Sequence, residues 1–360
     1  MDMHLLLGLV LTLSLPSGGD TSDGLYCSTF SIVAVDTATG DCGVAVASRV
    51  LAVGYIVPWV KPGAGAVATQ ALVNPNLGPE GLALLSSGMP AVEVLDSLVA
   101  SDSGSADRQL GVVDASGRSA TFTGSGAMNW AGGVCGPGYS IQGNILVGPE
   151  VVEEMREAFL SSGGPLSWRL LKALEAGDAA GGDSRGRQSA ALVVMRTGGG
   201  YMGAGDRLVD IEIADSPQPV AELARVYSLW EPVFLFPVYI DAGREPEQSY
   251  AMAIMERSLS MGQPDAETLN AFAWTLAERG IYPERALELA MQAHMASPED
   301  ANIMDTLAQA CYSAGQYEQA VTWESEALRR EPDGQFFQQQ LAKFRRALAD
   351  TERARIEPEY

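Results

Sequence analysis

From residue 29 to residue 71 apolar side chains alternate with polar or small ones in short runs, the period-two pattern of half-buried strands. Strands are predicted over 29–35 and 43–48, joined into a hairpin by the turn at 36–41, and again over 55–60 and 65–71 across Lys61 and Pro62. The period then lengthens to a helical one over 79–87 and 90–100. Each of these opens on a proline, whose fixed φ and missing N–H suit a first helical turn. Strands return at 109–114 and 118–123 and near 139–147, helices follow at 149–160 and 165–176, and strands close the series at 188–196 and 207–213. Strands, two helices, strands, two helices, strands is the order of two stacked sheets between helical layers. A doubly wound parallel sheet would alternate single helices with strands.

Beyond residue 248 the pattern repeats. Gly280-Ile281-Tyr282 recurs as Gly315-Gln316-Tyr317, and Ala286, Ala293 and Pro298 recur as Ala320, Ala327 and Pro332. A period of about 34 residues, with small residues where paired helices touch, resembles the tetratricopeptide repeat. Two units, 265–299 and 300–333, are flanked by helices at 250–261 and 335–348. Such units bury each other's faces, so two plus flanking helices is near the minimum for stability. The resulting domain organisation is a signal segment at 1–24, a layered α/β domain at 25–230, a Pro- and aromatic-rich linker at 231–248 that packs on one of the domains, repeat helices at 249–350 and a tail at 351–360. The repeats offer a surface to a protein partner, to a second copy, or to the first domain.

Charge narrows the partners. The formal net charge is −22, shared by both parts, and such a surface repels phosphate backbones and anionic lipid heads. Nucleic acid is therefore excluded as a ligand. The apolar run at 5–15, closed by Pro16, has the length of a signal-peptide core and is too short to span a bilayer, so export to the periplasm or the medium is expected without a transmembrane helix. The four cysteines, Cys27, Cys42, Cys135 and Cys311, contain no CxxC pair, which argues against zinc or iron–sulfur ligation; a Cys27–Cys42 bridge is open in an exported chain, buried free thiols being commoner. No metal and no cofactor are expected.

The most informative chemical feature is an absence. The two histidines are His4, in the leader, and His294, in a repeat helix, so the first domain has no imidazole base for a Ser-His or Cys-His site. One solution that needs none is a Thr, Ser or Cys at the head of a processed chain, whose own α-amine accepts the proton. That amine has an intrinsic pKa of about 7.7 to 8.0, so a useful fraction is neutral near pH 7. Thr29 opens the first strand, where such a nucleophile would stand, although Thr is also simply a good strand former.

Thr29-Phe-Ser-Ile-Val-Ala, Gly43-Val-Ala-Val-Ala-Ser-Arg, Val57-Pro-Trp-Val, Gly65-Ala-Val-Ala-Thr-Gln, the stretch 74–81, Gln142-Gly-Asn and Ala180-Gly-Gly-Asp-Ser-Arg-Gly-Arg-Gln-Ser-Ala-Ala closely resemble the family called domain of unknown function 1028, over about 29–223. That family is placed in the N-terminal nucleophile (Ntn) hydrolase superfamily. The resemblance implies a four-layered αββα sandwich and, by analogy only, an amide-bond hydrolase. In the family the matching Thr commonly follows the initiator Met; here Ser28 precedes it within a longer leader, so exposure needs cleavage between Ser28 and Thr29.

On that reading Thr29 is the nucleophile and Arg49, at the end of the second strand, the cation that tunes its amine. Gln70, Asn74, Gln142 and Asn144 are amides on strand ends and loops that would serve as oxyanion or substrate contacts, each equally able to be a strand-edge residue. In the loop 181–189, Arg185 and Arg187 could receive a substrate carboxylate, because guanidinium forks match its geometry, while an ion pair with Asp183 would instead stiffen the turn. Two functions follow: an exported hydrolase of a small amide or peptide-like compound with a repeat module for a partner, or an inactive ligand-binding scaffold of the same fold.

Overall fold

The structure, a computed structural model, describes residues 26–27, 29–260, 262 and 264–356. The expected signal segment, the Ser28 junction and the last four residues lie outside them.

The first part is built of four layers. One sheet holds β1 (Tyr26–Cys27), β4 (Pro58–Lys61), β5 (Gly65–Leu72), β6 (Arg108–Asp114) and β7 (Ser119–Thr123), with β5 pairing β1, β4 and β6. The other runs β11-β10-β3-β2-β9-β8, from β2 (Thr29–Asp36), β3 (Asp41–Ser48), β8 (Trp130–Gly136), β9 (Tyr139–Leu146), β10 (Ser189–Met195) and β11 (Arg207–Ile213). All their pairings are antiparallel. Helices α1 (Leu77–Ser86) and α2 (Ala91–Ser101) cover the first sheet, and α3 (Glu150–Ser161), α4 (Leu166–Ala179) and α5 (Pro219–Trp230) cover the second.

Period-two alternation assigns each strand two faces. In β2, Phe30, Ile32 and Ala34 join the core beneath α3 and α4, while Val33 and Val35 join Val44, Val46, Ala66, Ala68 and Val113 between the sheets. A third core, with Val67, Leu98, Leu110 and Val112, lies under α1 and α2. Strand β8 escapes the sequence pattern because Gly132 and Gly133 interrupt its alternation. The structure needs the second of these: a Cβ on Gly133 would stand 2.7 Å from Ile141 O and Thr121 Oγ1. The first half of the strand expected over 55–60 is not strand: Tyr55 ends a 3-10 turn that starts at Val53, 56 and 57 form a turn and bend, and pairing begins only at Pro58.

The repeat pairs are α8 (Ala266–Arg279) with α9 (Pro283–Ala296) and α10 (Ala301–Ser313) with α11 (Tyr317–Arg330), preceded by α7 (Glu247–Ser260) and closed by α12 (Gln335–Ile356), which runs into the expected tail. Each first helix starts on an aspartate cap: Asp265 Oδ1 accepts from Thr268 N at 2.7 Å and Asp300 Oδ1 from Asn302 N at 2.9 Å. The recurring alanines Ala286, Ala293, Ala320 and Ala327 are fully buried.

The segment 231–248, expected as a linker packed on one of the domains, is packed and helical. It forms a π-helical turn, Glu231–Leu235, and a helix α6 (Phe236–Ala242) whose Phe236, Tyr239 and Ile240 belong to one core with Phe159, Leu223, Ile254 and Phe272. Phe236 meets Phe272 of α8 edge-on at 4.7 Å. Its Pro and aromatic content marks packing surface as expected, and that surface meets both parts, not one of them. No helix among the described residues is long and apolar enough to cross a membrane.

Candidate functional site

The layer between the sheets changes character along its length. Toward the β2–β3 turn it is valine and alanine; at the other end the same inward positions are Thr29 and Ser31 in β2, Ser48 in β3, Gln142 and Asn144 in β9, Gln70 in β5 and Gln109 in β6, all buried. A buried polar side chain is costly without a partner. The structure answers that cost with a side-chain network.

Thr29 is completely buried, opposite Ser48 on one side and Asn144 on the other. Its Oγ1 donates to Ser48 Oγ at 3.3 Å, and its carbonyl accepts from Gln70 Nε2 at 3.3 Å. Gln70 Nε2 also donates to Gln109 Oε1 at 2.9 Å and Gln142 O at 3.4 Å, while Gln70 Oε1 accepts from Ser31 Oγ at 2.7 Å. Gln142 Nε2 donates to Ser31 Oγ at 2.6 Å, and Gln142 Oε1 accepts from Ser140 Oγ at 2.9 Å. Gln142 fits because β6 has Gly111 opposite it, where a Cβ would lie 2.1 Å from Gln142 Oε1. Asn144 Nδ2 donates to Gln109 Oε1 at 2.9 Å.

Of the residues singled out from sequence, Thr29, Gln70, Gln142 and Asn144 therefore meet at one place. Gln70 and Gln142 face each other and the adjoining strands, joining the two sheets. Asn74 stands apart in the β5–α1 loop: its Oδ1 accepts from Asn76 N at 3.2 Å and its carbonyl from Thr69 Oγ1 at 3.2 Å. Beside it, burial pushes the Asp102 carboxyl up, but hydrogen bonds from Arg108 and Gly104 N–H, the Arg108 charge and a hydrogen bond from Asn74 outweigh that and leave it below its ordinary value. Arg49 is exposed and directs Nη1 to Gln188 Oε1 at 2.8 Å.

The loop 181–189 is stitched to the same end of the sandwich. Asp183, buried, accepts from Arg49 N at 3.0 Å and Arg185 N at 2.9 Å and pairs with the Arg185 guanidinium at 3.0 Å. Arg187 pairs with Asp178 at 2.5 Å. Ser184 N and Oγ both donate to Ile145 O. The two loop arginines thus sit on the chain's own acids, the ion-pair arrangement that stiffens the turn. Between Phe30, Ser48, Asp183 and Arg187 about 10 Å³ remains, room for roughly one water.

Backbone strain gathers here too. Ala52, Ala71, Asn129 and Ile145 adopt φ of 52°, 70°, 55° and 53°, and all lie at this end, in or beside β3, β5, β8 and β9. A branched, buried residue such as Ile145 is a true outlier there, and such strain clusters at functional sites. Sequence reading missed this, since only tertiary context imposes it. It also missed Gln109, Ser31, Ser48 and Ser140, although a polar residue at an inward strand position was an available signal. Burial, then the Asp41 charge, pushes the buried thiol of Cys42 up to about 12, which keeps it in the protonated form. It is free, and Cys27, paired by its backbone with Ala71, lies in the other sheet.

Residues 29–223 match a family described as "Family of unknown function (DUF1028)". The chain is similar to a crystal structure of protein SPO2555 from Silicibacter pomeroyi, itself assigned to DUF1028, with 33% identity over 56% of this chain and 89% of that one and a TM-score of 0.51. The helical part is similar to the TPR domain of Sgt2 from Aspergillus fumigatus (22% identity, 36% and 86% of the chains, TM-score 0.29) and to a mutant form of MamA (18%, 34% and 88%, 0.23). No curated protein matches.

Proposed function

Because the chain belongs to the family of unknown function DUF1028, whose stretch here is the layered domain itself, we propose that this domain is an N-terminal nucleophile amidohydrolase of the Ntn type, acting on a small amide or peptide-like substrate after export and cleavage at Ser28–Thr29. The observation that carries the proposal is the placement of Thr29: a hydroxyl at the head of a central strand, 3.3 Å from Ser48 Oγ, in a domain without histidine. Polar side chains and strained backbone converge on it.

The freed α-amine would take the hydroxyl proton as Oγ1 attacks the amide carbonyl, and would pass it to the departing amine. An ester on Thr29 remains, which water hydrolyses with the same amine as base. Asn144, in register with Thr29, is the side-chain amide best placed to donate to the oxyanion. The repeats serve a protein partner or a second copy.

Intact-mass measurement on the full chain, expressed with its leader and purified, tests the proposal, together with turnover on a panel of amides. A product beginning at Thr29, active as such and inactive as Thr29→Ala, is expected. A specific observation favours the second reading, an inactive scaffold: Thr29 is wholly buried and both loop arginines are neutralised from within. A purified chain that keeps Ser28, or a Thr29→Ala variant as competent as the parent, would decide for it.

A further inference from the structure

At the polar end of the inter-sheet layer one buried amide hydrogen-bonds to four strands, β5, β7, β8 and β9. Gln109, inward on β6 and completely buried, accepts with Oε1 from Gln70 Nε2 and from Asn144 Nδ2, both at 2.9 Å. Its Nε2 faces Thr123 Oγ1 at 2.9 Å, Gly132 O at 3.1 Å and Gly143 O at 2.8 Å. The amide can stand only one way round: reversed, it would set its NH2 against two other NH2 groups and its oxygen against two carbonyls. It therefore locks β6 and β7 of one sheet to β8 and β9 of the other. Both donors it receives lead to Thr29, since Gln70 holds the Thr29 carbonyl and Asn144 is its register partner.

We infer that Gln109 is the positioning residue of this site: through Gln70 and Asn144 it fixes the Thr29 backbone, and with it the direction of the Thr29 hydroxyl and α-nitrogen. The inference rests on the reading of Thr29 as nucleophile. Gln109 itself touches no substrate. A misplacement of the reacting group by about 1 Å is enough to cost a large factor in rate.

The test uses the full chain, purified after its own maturation, and a β-lactone as acylating probe. Oγ1 of Thr29 attacks the lactone carbonyl, the ring C–O bond breaks, and the hydroxyl proton ends on the alkoxide released, so the protein gains the whole probe mass. Labelling at Thr29 in the parent is expected, absent in Thr29→Ala. In Gln109→Met, of similar volume but without the amide, labelling is expected to slow by about tenfold or more with its pH midpoint displaced and the fold retained. Thr123→Val, which removes one acceptor at the rim, is expected to slow it by about threefold, and covers the case in which Gln109→Met does not fold. A parent that does not label removes the nucleophile and the inference with it. A labelled parent with unchanged rates in both variants overturns the inference alone, as does a slower rate with an unmoved midpoint and a lowered melting temperature, the mark of a packing residue.

Discussion

The phenol of Tyr239 in α6 donates to Asp41 Oδ2 at 3.1 Å, at the turn end of the β2–β3 hairpin. Asp41 is completely buried and also holds Arg196 at 2.5 Å, whose guanidinium lies over the Tyr239 ring at 4.8 Å; Tyr250 donates in turn to Asp36 at 2.8 Å. The helical part thus clamps the hairpin at the end opposite Thr29, seven strand residues or roughly 23 Å away. Closing of the site by the repeats does not fit that placement.

Removing one member of the clamp is expected to destabilise the whole chain. Arg196→Met leaves the Asp41 carboxylate buried and short of its cation, a loss of about 3–5 kcal/mol, whereas Tyr239→Phe costs about 1–3 kcal/mol. Denaturant unfolding followed by tryptophan fluorescence and by helical dichroism should give one shared transition in each case. Two separated transitions would show that the parts do not depend on each other.

In the repeats, Asp305 of α10 and Glu324 of α11 are buried side by side, with Lys343 of α12 and Glu278 of α8 also charged nearby. Burial, then the Asp305 charge, pushes the Glu324 carboxyl up to about 9; burial pushes Asp305 up to about 6. A raised carboxyl favours the fold fully below its ordinary value of 4.5 and loses that contribution as pH rises through about 9. Glu324→Gln should therefore flatten the fall in melting temperature between neutral pH and pH 9, by about 2–4 °C per kcal/mol recovered. A melting profile that keeps the parent's alkaline slope would contradict it.

Gly111→Ala places a methyl 2.1 Å from Gln142 Oε1, against a side chain pinned by Ser31 and Ser140. The expected loss is about 1–3 kcal/mol, read by urea unfolding, with faster amide hydrogen exchange in β6 and β9. An unchanged midpoint would mean that the amide layer can slide.

Asp183→Ala releases the Arg49 backbone N–H and the Arg185 guanidinium together. The loop should then open to trypsin after Arg185 and Arg187, with a stability loss of about 1–3 kcal/mol. Equal rates of cleavage in parent and variant would show that the glycines, not the aspartate, hold the turn.

Most of the strand and helix order (though not the helix Pro219–Trp230), the repeat units and the place of Thr29 at the head of a strand were legible from sequence, because alternation of side chains and recurrence at a fixed period are local properties of the chain. Capping by Asp265 and Asp300 is local as well. The pairing of β8, disguised by Gly132 and Gly133, was not legible, and neither was it legible that the packed segment 231–248 would be helical and meet both parts, because the side chains that cover them come from distant segments. The same holds for the site. Sequence supplied polar residues at inward positions without saying whether they face a ligand or each other. The fold decided that Gln70, Gln109, Gln142 and Asn144 satisfy one another, since two sheets brought face to face must pair every donor and acceptor they take out of water.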